Sequence, residues 1–286
     1  MSPELVVASH GVMEGKGAYN RYAKLPAGGA ALALPLWEKA VQCVEFDTGD
    51  HPVVVADYGS SQGKNSMVPI QVAIRGLRHR LGPNRAISVF HVDQPSNDFN
   101  ALFQVLDLDP DRYAVDDPNV FPGVIGRSFY ENVLPPGSVH LGWSSYAAVW
   151  LSSIPALIPG HFISLRGPDP VRAEFDRQAA RDWEAFLSLR ARELRPGSRL
   201  VVVLPGLADD GSSGFENIMD QGEGCTGGDG SWRRDCERGT RANGARESSP
   251  AEARPAGSLC ARRAFSAPDR GRHRDIQPPG LCMDRL

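Results

Sequence analysis

Short runs of β-branched and aromatic residues alternate along the first two hundred positions with segments whose apolar residues recur every three or four positions. The short runs predict buried strands. They fall at residues 52–57, 86–93, 119–125, 138–143 and 199–204. Strands that alternate with helices are typical of an α/β fold, with a mainly parallel sheet and crossover helices.

Three segments show the helical period. Residues 30–44 and 67–81 each place apolar side chains on one face, which predicts helices that cover the sheet. Residues 168–195 form a longer amphipathic pattern with Arg and Glu on the opposite face, and this helix should end at Pro196. Residues 15–26 are rich in Gly and polar residues, and we expect a frayed terminus there in preference to a lid over a pocket.

The first predicted strand runs into a glycine-rich turn, in the stretch VVVADYGSSQGKNS at residues 53–66. Asp57 closes the strand, at the end where open α/β sheets bind their ligands. Gly59, Ser61 and Gly63 follow at two-residue steps, so the backbone can turn tightly and approach a bound ligand closely. The pattern predicts a small-molecule site, and a glycine turn without a ligand is the alternative.

Spacing separates two kinds of ligand. A phosphate-binding P-loop needs four residues between its first glycine and a Gly-Lys pair, then Ser or Thr. Here three residues separate Gly59 from Gly63, and Asn65 follows Lys64. The pattern Asp-x-Gly-x-Ser-x-Gly is more similar to the first motif of S-adenosylmethionine-dependent methyltransferases. Asp93 ends the second strand, where a carboxylate can accept from both hydroxyls of a ribose or simply begin a turn.

Composition and charge argue against proteins that bind nucleic acid or span a membrane. The 286 residues carry a formal net charge of −3, which argues against a nucleic-acid partner. Neither a charged and apolar leader nor a long apolar run occurs in the sequence, so we expect no membrane partner and a cytoplasmic location.

Cysteines are unevenly distributed. Cys43 stands alone in the first two hundred residues, while the other four lie in the last quarter, with His273 nearby. These four are Cys225, Cys236, Cys260 and Cys282. Their gaps are long and none forms a C-x-x-C pair, so we expect no metal site.

The composition changes abruptly after about residue 217. No valine, tyrosine or lysine occurs from Met219 to Leu286. Such a stretch buries too little apolar surface to offset the entropy of ordering it, so we expect disorder. A shifted reading frame in a GC-rich coding sequence is the preferred explanation, and an Arg/Gly-rich binding tail is the alternative.

Four segments, in this order, resemble the SABATH carboxyl methyltransferases of plants and their bacterial relatives. The family patterns are D-x-G-x-S-x-G-x-N, N-D-x-P-x-N-D-F-N, G-S-F-Y and H-S-S-Y-S-x-x-W-L-S. They match Asp57–Asn65, Asp93–Asn100, Ser128–Tyr130 and Ser144–Ser152. The resemblance implies a Rossmann-like sheet with helical cap elements, incomplete at the C-terminus. It also implies transfer of a methyl group from S-adenosylmethionine to the carboxylate of a small molecule, with S-adenosylhomocysteine as product.

The resemblance also assigns residues to the cofactor. Asp57 and the glycine turn would hold its methionine end, Asp93 would bind the ribose, and Ser128 with Phe129 would flank the adenine. The full set is Tyr19, Asp57, Gly59, Ser61, Gly63, Asn65, Asp93, Ser128 and Phe129. No catalytic side chain is implied, because an ionised carboxylate is already a nucleophile and needs only alignment and desolvation.

The acceptor pocket implied by the family comprises Trp143, Ser145, Tyr146, Val149 and Trp150. Tyr146 and Trp150 would lie on a short helix, with the Trp150 indole N–H donating to the substrate carboxylate. The arm carries Pro26 where the family has the assisting glutamine, so half of this clamp is missing. Trp143 and Val149 also differ from the usual family residues, and we expect a different acceptor.

The chain is thus divided into an arm with a cap helix, a cofactor-binding core and a tail. Their limits are 1–50, 51–216 and 217–286, with a helical insert at about 146–195. A homodimer is implied only by the plant relatives. The alternative to an active enzyme is a truncated, inactive remnant that binds the cofactor, and a nucleoside triphosphatase is a further alternative.

Overall fold

Five parallel strands form one sheet, in the order β3-β2-β1-β4-β5, in a computed structural model that describes residues 15–115, 117–158, 164–206 and 209. The strands are β1 Val53–Tyr58, β2 Ile87–Asp93, β3 Val120–Gly126, β4 Val139–Ser145 and β5 Leu194–Val203. Each contains the apolar run that predicts it, so the predicted α/β fold is confirmed. The order reverses at β1, which places a ligand crevice beyond the carboxyl ends of β1 and its neighbours.

Six α-helices accompany the sheet in the described part of the chain. They are α1 Ala18–Tyr22, α2 Lys24–Leu32, α3 Leu34–Cys43, α4 Met67–Leu81, α5 Phe99–Leu108 and α6 Asp169–Glu193. The predicted helices at 67–81 and 168–195 are confirmed, and the one predicted at 30–44 corresponds to the end of α2 and α3. Gly82, with φ at 76°, ends α4 in a conformation that favours glycine.

Alternation along β1 divides the core into two clusters. Val55 packs with Trp37 of α3 and Ile70 of α4, whereas Ala56 and Tyr58 pack with residues that include Phe186 of α6. Side chains from both sides therefore bury the central strand, which is why its sequence is an almost continuous apolar run. This arrangement fixes the position of Asp57 at the strand's end.

The strand β5 begins at Leu194, ahead of the predicted residue 199. It follows α6 directly, and its pairing with β4 shifts register between Val139 and Leu141. Gly197 has φ at 78°, a conformation that glycine adopts without strain. The shift therefore lets the strand start before the apolar run at residue 199.

The N-terminal arm differs from the prediction. Residues 15–26 are not a frayed end, because α1 and the first part of α2 occupy them and the Asn20 side chain bonds to the glycine turn. Those bonds span more than forty positions of the chain, so local composition does not indicate them.

The predicted short helix that would carry Tyr146 and Trp150 is also wrong. The segment is a turn, in which the Trp150 N–H donates to the Ala147 carbonyl at 3.0 Å. Tyr146 has φ at 56°, a left-handed conformation that is incompatible with continuing from β4 into a helix.

The described residues divide into two compact units. The first holds the described residues up to Leu157 together with Ala173–Leu204, and it contains the sheet. The second holds Ile158–Arg172 and the described residues from Pro205 onwards. Within it, Gly167 follows a short 3-10 helix and donates its N–H to the Ser164 carbonyl at 2.9 Å. The domain limits expected from sequence remain predictions.

The predicted disorder after residue 217, the four late cysteines and His273 lie outside the described residues. Cys43 is exposed and carries a free thiol. Of the helices that the structure describes, none has both the length and the apolar character that a bilayer crossing requires.

Candidate functional site

The glycine-rich turn follows β1 and has an unusual backbone. Gly59 and Gly63 have φ at 87° and 89°, and Ser61 adopts φ at 49°, which is uncommon for a residue with a side chain. Two bonds hold Ser61 there: its N–H donates to Asp93 Oδ2 at 2.6 Å, and its carbonyl accepts from the Asn97 amide at 2.7 Å. The turn is therefore fixed by residues at and beyond the end of β2.

The hydroxyl groups of Ser60 and Ser61 have no hydrogen-bond partner within the described part of the chain, although both are buried. A buried hydroxyl without a partner costs free energy that a ligand can recover. Two such groups side by side in a glycine turn offer hydrogen-bonding positions that a polar ligand could fill.

The two glycines make room for protein rather than for a ligand alone. A side chain at Gly59 would overlap Ala147, in the turn after β4, and one at Gly63 would overlap Leu102 of α5. The expectation that these glycines admit a ligand is therefore only part of the explanation. They also allow neighbouring elements to pack directly on the turn.

Asp93 lies at the carboxyl end of β2 and faces the turn. Besides the Ser61 amide, its carboxylate accepts from the Gln94 N–H at 2.8 Å. Burial raises the pKa of the Asp93 carboxyl to about 6, the two backbone N–H groups oppose this, and the nearby charge of Asp57 adds to it. The position and the charge suit a hydroxyl donor such as a ribose.

Asp57 is only 2 % exposed, and its side chain faces the strand beside it. Its Oδ2 lies 2.9 Å from Nδ1 of His91, the residue opposite it on β2. The Nε2 atom of His91 lies 2.9 Å from the Tyr113 hydroxyl. The sequence alone predicts no role for His91 or Tyr113, because a histidine inside an apolar strand gives no local signal.

The N-terminal arm brings Tyr19 to the same place. The Tyr19 hydroxyl lies 3.4 Å from the Asn65 amide nitrogen, which also donates to the Ala23 carbonyl at 3.1 Å. Burial raises the pKa of the Tyr19 hydroxyl; the hydrogen bond with Asn65 lowers it, and the charges of Asp57 and Asp93 raise it further. Tyr19, Asn65, Asp57 and Asp93 thus form one group around the turn.

Lys64 does not act as a P-loop lysine would. Its ammonium group forms ion pairs with Asp109 at 2.8 Å and Asp111 at 3.1 Å, in the segment after α5. A P-loop lysine instead reaches the phosphates of its ligand. The structure therefore gives no support to the triphosphatase alternative.

Ser128 and Phe129 follow β3 and lie near the turn, since the Phe129 ring lies beside Gly59. The ring packs against Tyr130 and Phe186, with centroids 4.8 and 5.9 Å away. The Ser128 hydroxyl accepts from the Tyr130 N–H at 3.2 Å. Both residues are half-buried at the crevice end of the sheet.

A buried ion pair that is not predicted from the sequence supports this segment. Arg190 and Glu193 of α6 are 0 % and 1 % exposed and pair at 2.9 Å. Arg190 also donates to the Phe129 carbonyl at 2.6 Å. The sequence contains a signal for this: Arg190 lies four positions after Phe186, so it shares the apolar face of α6 and not the polar one.

On the acceptor side, the structure separates the predicted residues. Trp143, predicted as a substrate-binding residue, is 1 % exposed and packs on Trp37 in the core at 5.3 Å. Val149 and Trp150 are about half exposed, at 45 % and 46 %. Ser145, the last residue of β4, is half-buried and lies opposite Val203 of β5.

Tyr146 lies between these residues and the arm. A side chain at Gly29 in α2 would overlap the Tyr146 hydroxyl, so the arm and the turn after β4 are in direct contact. The turn is also anchored from outside: the Tyr130 hydroxyl donates to the Trp150 carbonyl at 2.8 Å, and Ser152 bonds to Asp182 of α6. Contacts with other segments of the chain therefore position the turn that carries Tyr146 and Trp150.

A surface cavity of about 570 Å³ lies elsewhere, between α5 and β3. It is lined by Phe103, Gln104, Leu106, Asp107, Leu108, Pro122, Gly123 and Val124. None of the predicted site residues is among them, so this cavity is not the candidate site.

Comparison with known proteins places the chain among methyltransferases. A family model described as SAM dependent carboxyl methyltransferase matches residues 6–222. Methyltransferase LUC1 of Fusarium sp is 32 % identical over 215 residues, which cover 73 % of this chain and 55 % of that protein. Salicylate carboxymethyltransferase of Clarkia breweri is 31 % identical over 186 residues, which cover 62 % of this chain and 51 % of that protein.

A solved structure, described as loganic acid methyltransferase with SAH, superimposes with a TM-score of 0.58 at 27 % identity. The match covers 71 % of this chain and 60 % of the other. The chain spans about half the length of the curated relatives it matches. The family match ends at residue 222, close to the point where the composition changes.

Proposed function

Because the chain belongs to the family of SAM dependent carboxyl methyltransferases, we propose that it transfers the methyl group of S-adenosylmethionine to the carboxylate of a small molecule. The observation that carries this proposal is the glycine turn. Its two buried serine hydroxyls have no partner among the described residues, and they lie next to the Asp93 carboxylate that binds the same turn.

The residues present fit this cofactor. Asp93, at the end of β2, would accept from the ribose hydroxyls, and Asp57, at the end of β1, would face the methionine end. Tyr19 and Asn65 would close the site from the side of the arm. Ser128 and Phe129 would flank the adenine, because an aromatic ring beside the turn offers a stacking surface. The remaining proposed contacts come from Gly59, Ser61 and Gly63.

The acceptor would lie against the turn after β4. Trp150 is the predicted donor to the substrate carboxylate, and its half-exposed ring leaves it available to a ligand. Tyr146, Val149 and Ser145 would form the neighbouring wall. Trp143, buried on Trp37, would act by supporting β4 and not by touching the acceptor.

The chemistry demands little of the side chains. Bound S-adenosylmethionine would supply an electrophilic methyl group, and an ionised carboxylate needs no general base. The protein would align the acceptor oxygen and exclude water from it, which the aromatic side chains Tyr146 and Trp150 can do. The acceptor's identity is open, and the homodimer and the cytoplasmic location expected from sequence stay predictions.

Calorimetric titration with S-adenosylhomocysteine tests the proposal. We expect the chain to bind, Asp93→Ala to abolish binding, and the control Asp169→Ala to leave it unchanged, since that carboxylate is 90 % exposed on α6. Binding should be followed by an assay of methyl transfer to a panel of carboxylic acids, with base-labile methyl esters as product. Binding without any transfer would favour the inactive remnant, and no binding would overturn the proposal.

A further inference from the structure

Three buried side chains form a continuous hydrogen-bonded row behind the glycine turn. Asp57 of β1, His91 of β2 and Tyr113, in the connection before β3, are 2 %, 0 % and 7 % exposed. The two links are 2.9 Å each. The three residues are far apart in the sequence. Of the three, only Asp57 has a role in the proposed function.

The geometry assigns the hydrogens in this row. A carboxylate can only accept, so Nδ1 of His91 donates to Asp57 Oδ2. The Tyr113 hydroxyl, which bonds to Nε2, stays protonated because burial, followed by the Asp57 charge, raises its pKa well above the usual value. The His91 ring is thereby held in one orientation by a partner at each nitrogen.

This arrangement constrains Asp57. The carboxylate lies close enough to Asp93 for its charge to raise the pKa of that group, so two acidic groups share one site. The hydrogen bond from His91 stabilises the buried charge of Asp57 and occupies Oδ2. The other oxygen, Oδ1, is then the atom left to meet a cationic group at the carboxyl end of β1.

We propose that His91, held by Tyr113, is a positioning residue for the cofactor: it orients the Asp57 carboxylate toward the ammonium group at the methionine end of S-adenosylmethionine. His91 itself does not touch the ligand. This inference rests on the proposed function, because it gives a role to a residue of the same site.

Two variants separate orientation from bulk. His91→Leu removes both hydrogen bonds, whereas His91→Asn keeps an amide near the position of Nδ1 and should restore much of the interaction with Asp57. Hydrogen bonds to charged groups are strong enough that we expect His91→Leu to weaken S-adenosylhomocysteine binding about tenfold or more, and His91→Asn only a few-fold. Tyr113→Phe keeps the ring and should have an intermediate effect.

A matched control is His140, which is 1 % exposed on β4 and accepts from the Val54 N–H at 3.0 Å. His140→Leu also deletes a buried histidine hydrogen bond, but near the amino end of its strand. We expect it to lower the free energy of unfolding without changing the affinity for S-adenosylhomocysteine. A purely structural role for His91 would make both histidine variants behave alike.

The tautomer provides a readout in the ligand-free protein. Long-range proton–nitrogen spectra of the wild-type chain should show His91 protonated at Nδ1, and Tyr113→Phe should keep that proton, because the Asp57 carboxylate still accepts it. Absence of a proton on Nδ1 in the wild-type chain would overturn the inference, even if His91→Leu fails to fold. A folded His91→Leu with unchanged affinity would overturn the inference alone, whereas no binding by the wild-type chain would overturn the proposed function as well.

Discussion

The side-chain oxygen of Asn20 accepts a 3.1 Å hydrogen bond from the backbone N–H of Lys64, and the same side chain donates to the Gln62 carbonyl at 2.8 Å. One residue of the N-terminal arm thus bonds to both sides of Gly63. The arm is therefore a structural part of the glycine turn.

Replacing Asn20 by Ala should loosen this connection. Two backbone groups of the turn would lose their partner, so we expect a loss of about 1–2 kcal/mol in the free energy of unfolding and faster proteolysis near Lys16. Chemical denaturation and limited proteolysis measure these effects. Tyr22→Ala, at a side chain that is 77 % exposed, is the control and should show neither. Equal behaviour of the two variants would contradict the role assigned to Asn20.

With a pKa of about 6, the Asp93 carboxyl would give the proposed cofactor binding a pH dependence. The ribose hydroxyls would donate to the ionised Asp93 carboxylate, and protonation of Asp93 weakens this interaction. The affinity for S-adenosylhomocysteine should therefore be constant above pH 7 and fall by up to about tenfold per pH unit below 6. Titration calorimetry from pH 5 to 8 measures this. Asp93→Asn should bind weakly and show a flat profile over the same range.

Protein stability should respond to the same group in the opposite direction. The pKa is raised in the folded state from the usual 3.8 to about 6, so the proton binds the folded chain more tightly than the unfolded one. This contribution is fully present below pH about 4 and is lost as pH rises through 6. Denaturation curves of the wild-type chain and Asp93→Asn, compared across that window, isolate it from other carboxylates.

Trp150→Ala should affect the acceptor more than the cofactor. Its ring is half exposed and lies outside both core clusters, so we expect little change in S-adenosylhomocysteine affinity but about a tenfold or larger loss of methyl transfer. Binding by calorimetry and transfer with the best acid of the panel separate the two. Parallel losses in both would count against the acceptor role.

Breaking the buried pair of α6 should be costly. Arg190→Met removes the cationic partner of the buried Glu193 carboxyl group, so we expect about 3–5 kcal/mol less free energy of unfolding. The segment that carries Phe129 loses its anchor, and cofactor affinity should fall with it. Arg177→Met, at a side chain that is 56 % exposed, should change the free energy of unfolding by less than about 0.5 kcal/mol. A similar result for both would mean that the pair is not structural.

Lys64→Ala tests the alternative that the chain binds nucleoside triphosphates. The ion pairs of Lys64 are partly exposed, so their loss should cost about 1 kcal/mol or less and leave S-adenosylhomocysteine binding intact. Binding of ATP to the wild-type chain that disappears in this variant would revive the P-loop reading.

The features that the sequence predicts well depend on local chemistry. Strands such as Val53–Tyr58 are apolar runs, and the turn after them needs a left-handed backbone at Gly59 and Gly63, so glycine spacing indicates it. The placement of Asp57 and Asp93 near each other can also be predicted. Both lie at the carboxyl ends of parallel strands, and these ends meet at one edge of a sheet.

The features that the sequence does not predict depend on distant partners. Trp143 is an aromatic residue near the end of β4, where a ligand pocket is expected, but Trp37 of α3 packs against it. Asn20 lies in a segment of low helical tendency and is ordered by the turn it binds. His91 becomes meaningful only when β1 and β2 are in register, which brings it opposite Asp57.

The close approach of Gly59 to Ala147 has a consequence for how this protein can diverge. The glycine turn, proposed to face the cofactor, and the turn after β4, proposed to face the acceptor, meet at this contact, with no space for a methyl group between them. A larger residue at position 147, introduced to reshape the acceptor pocket, would push on the backbone that carries the cofactor. Substitutions that change the acceptor without disturbing the glycine turn are therefore expected at the exposed residues Val149 and Trp150 and not at position 147.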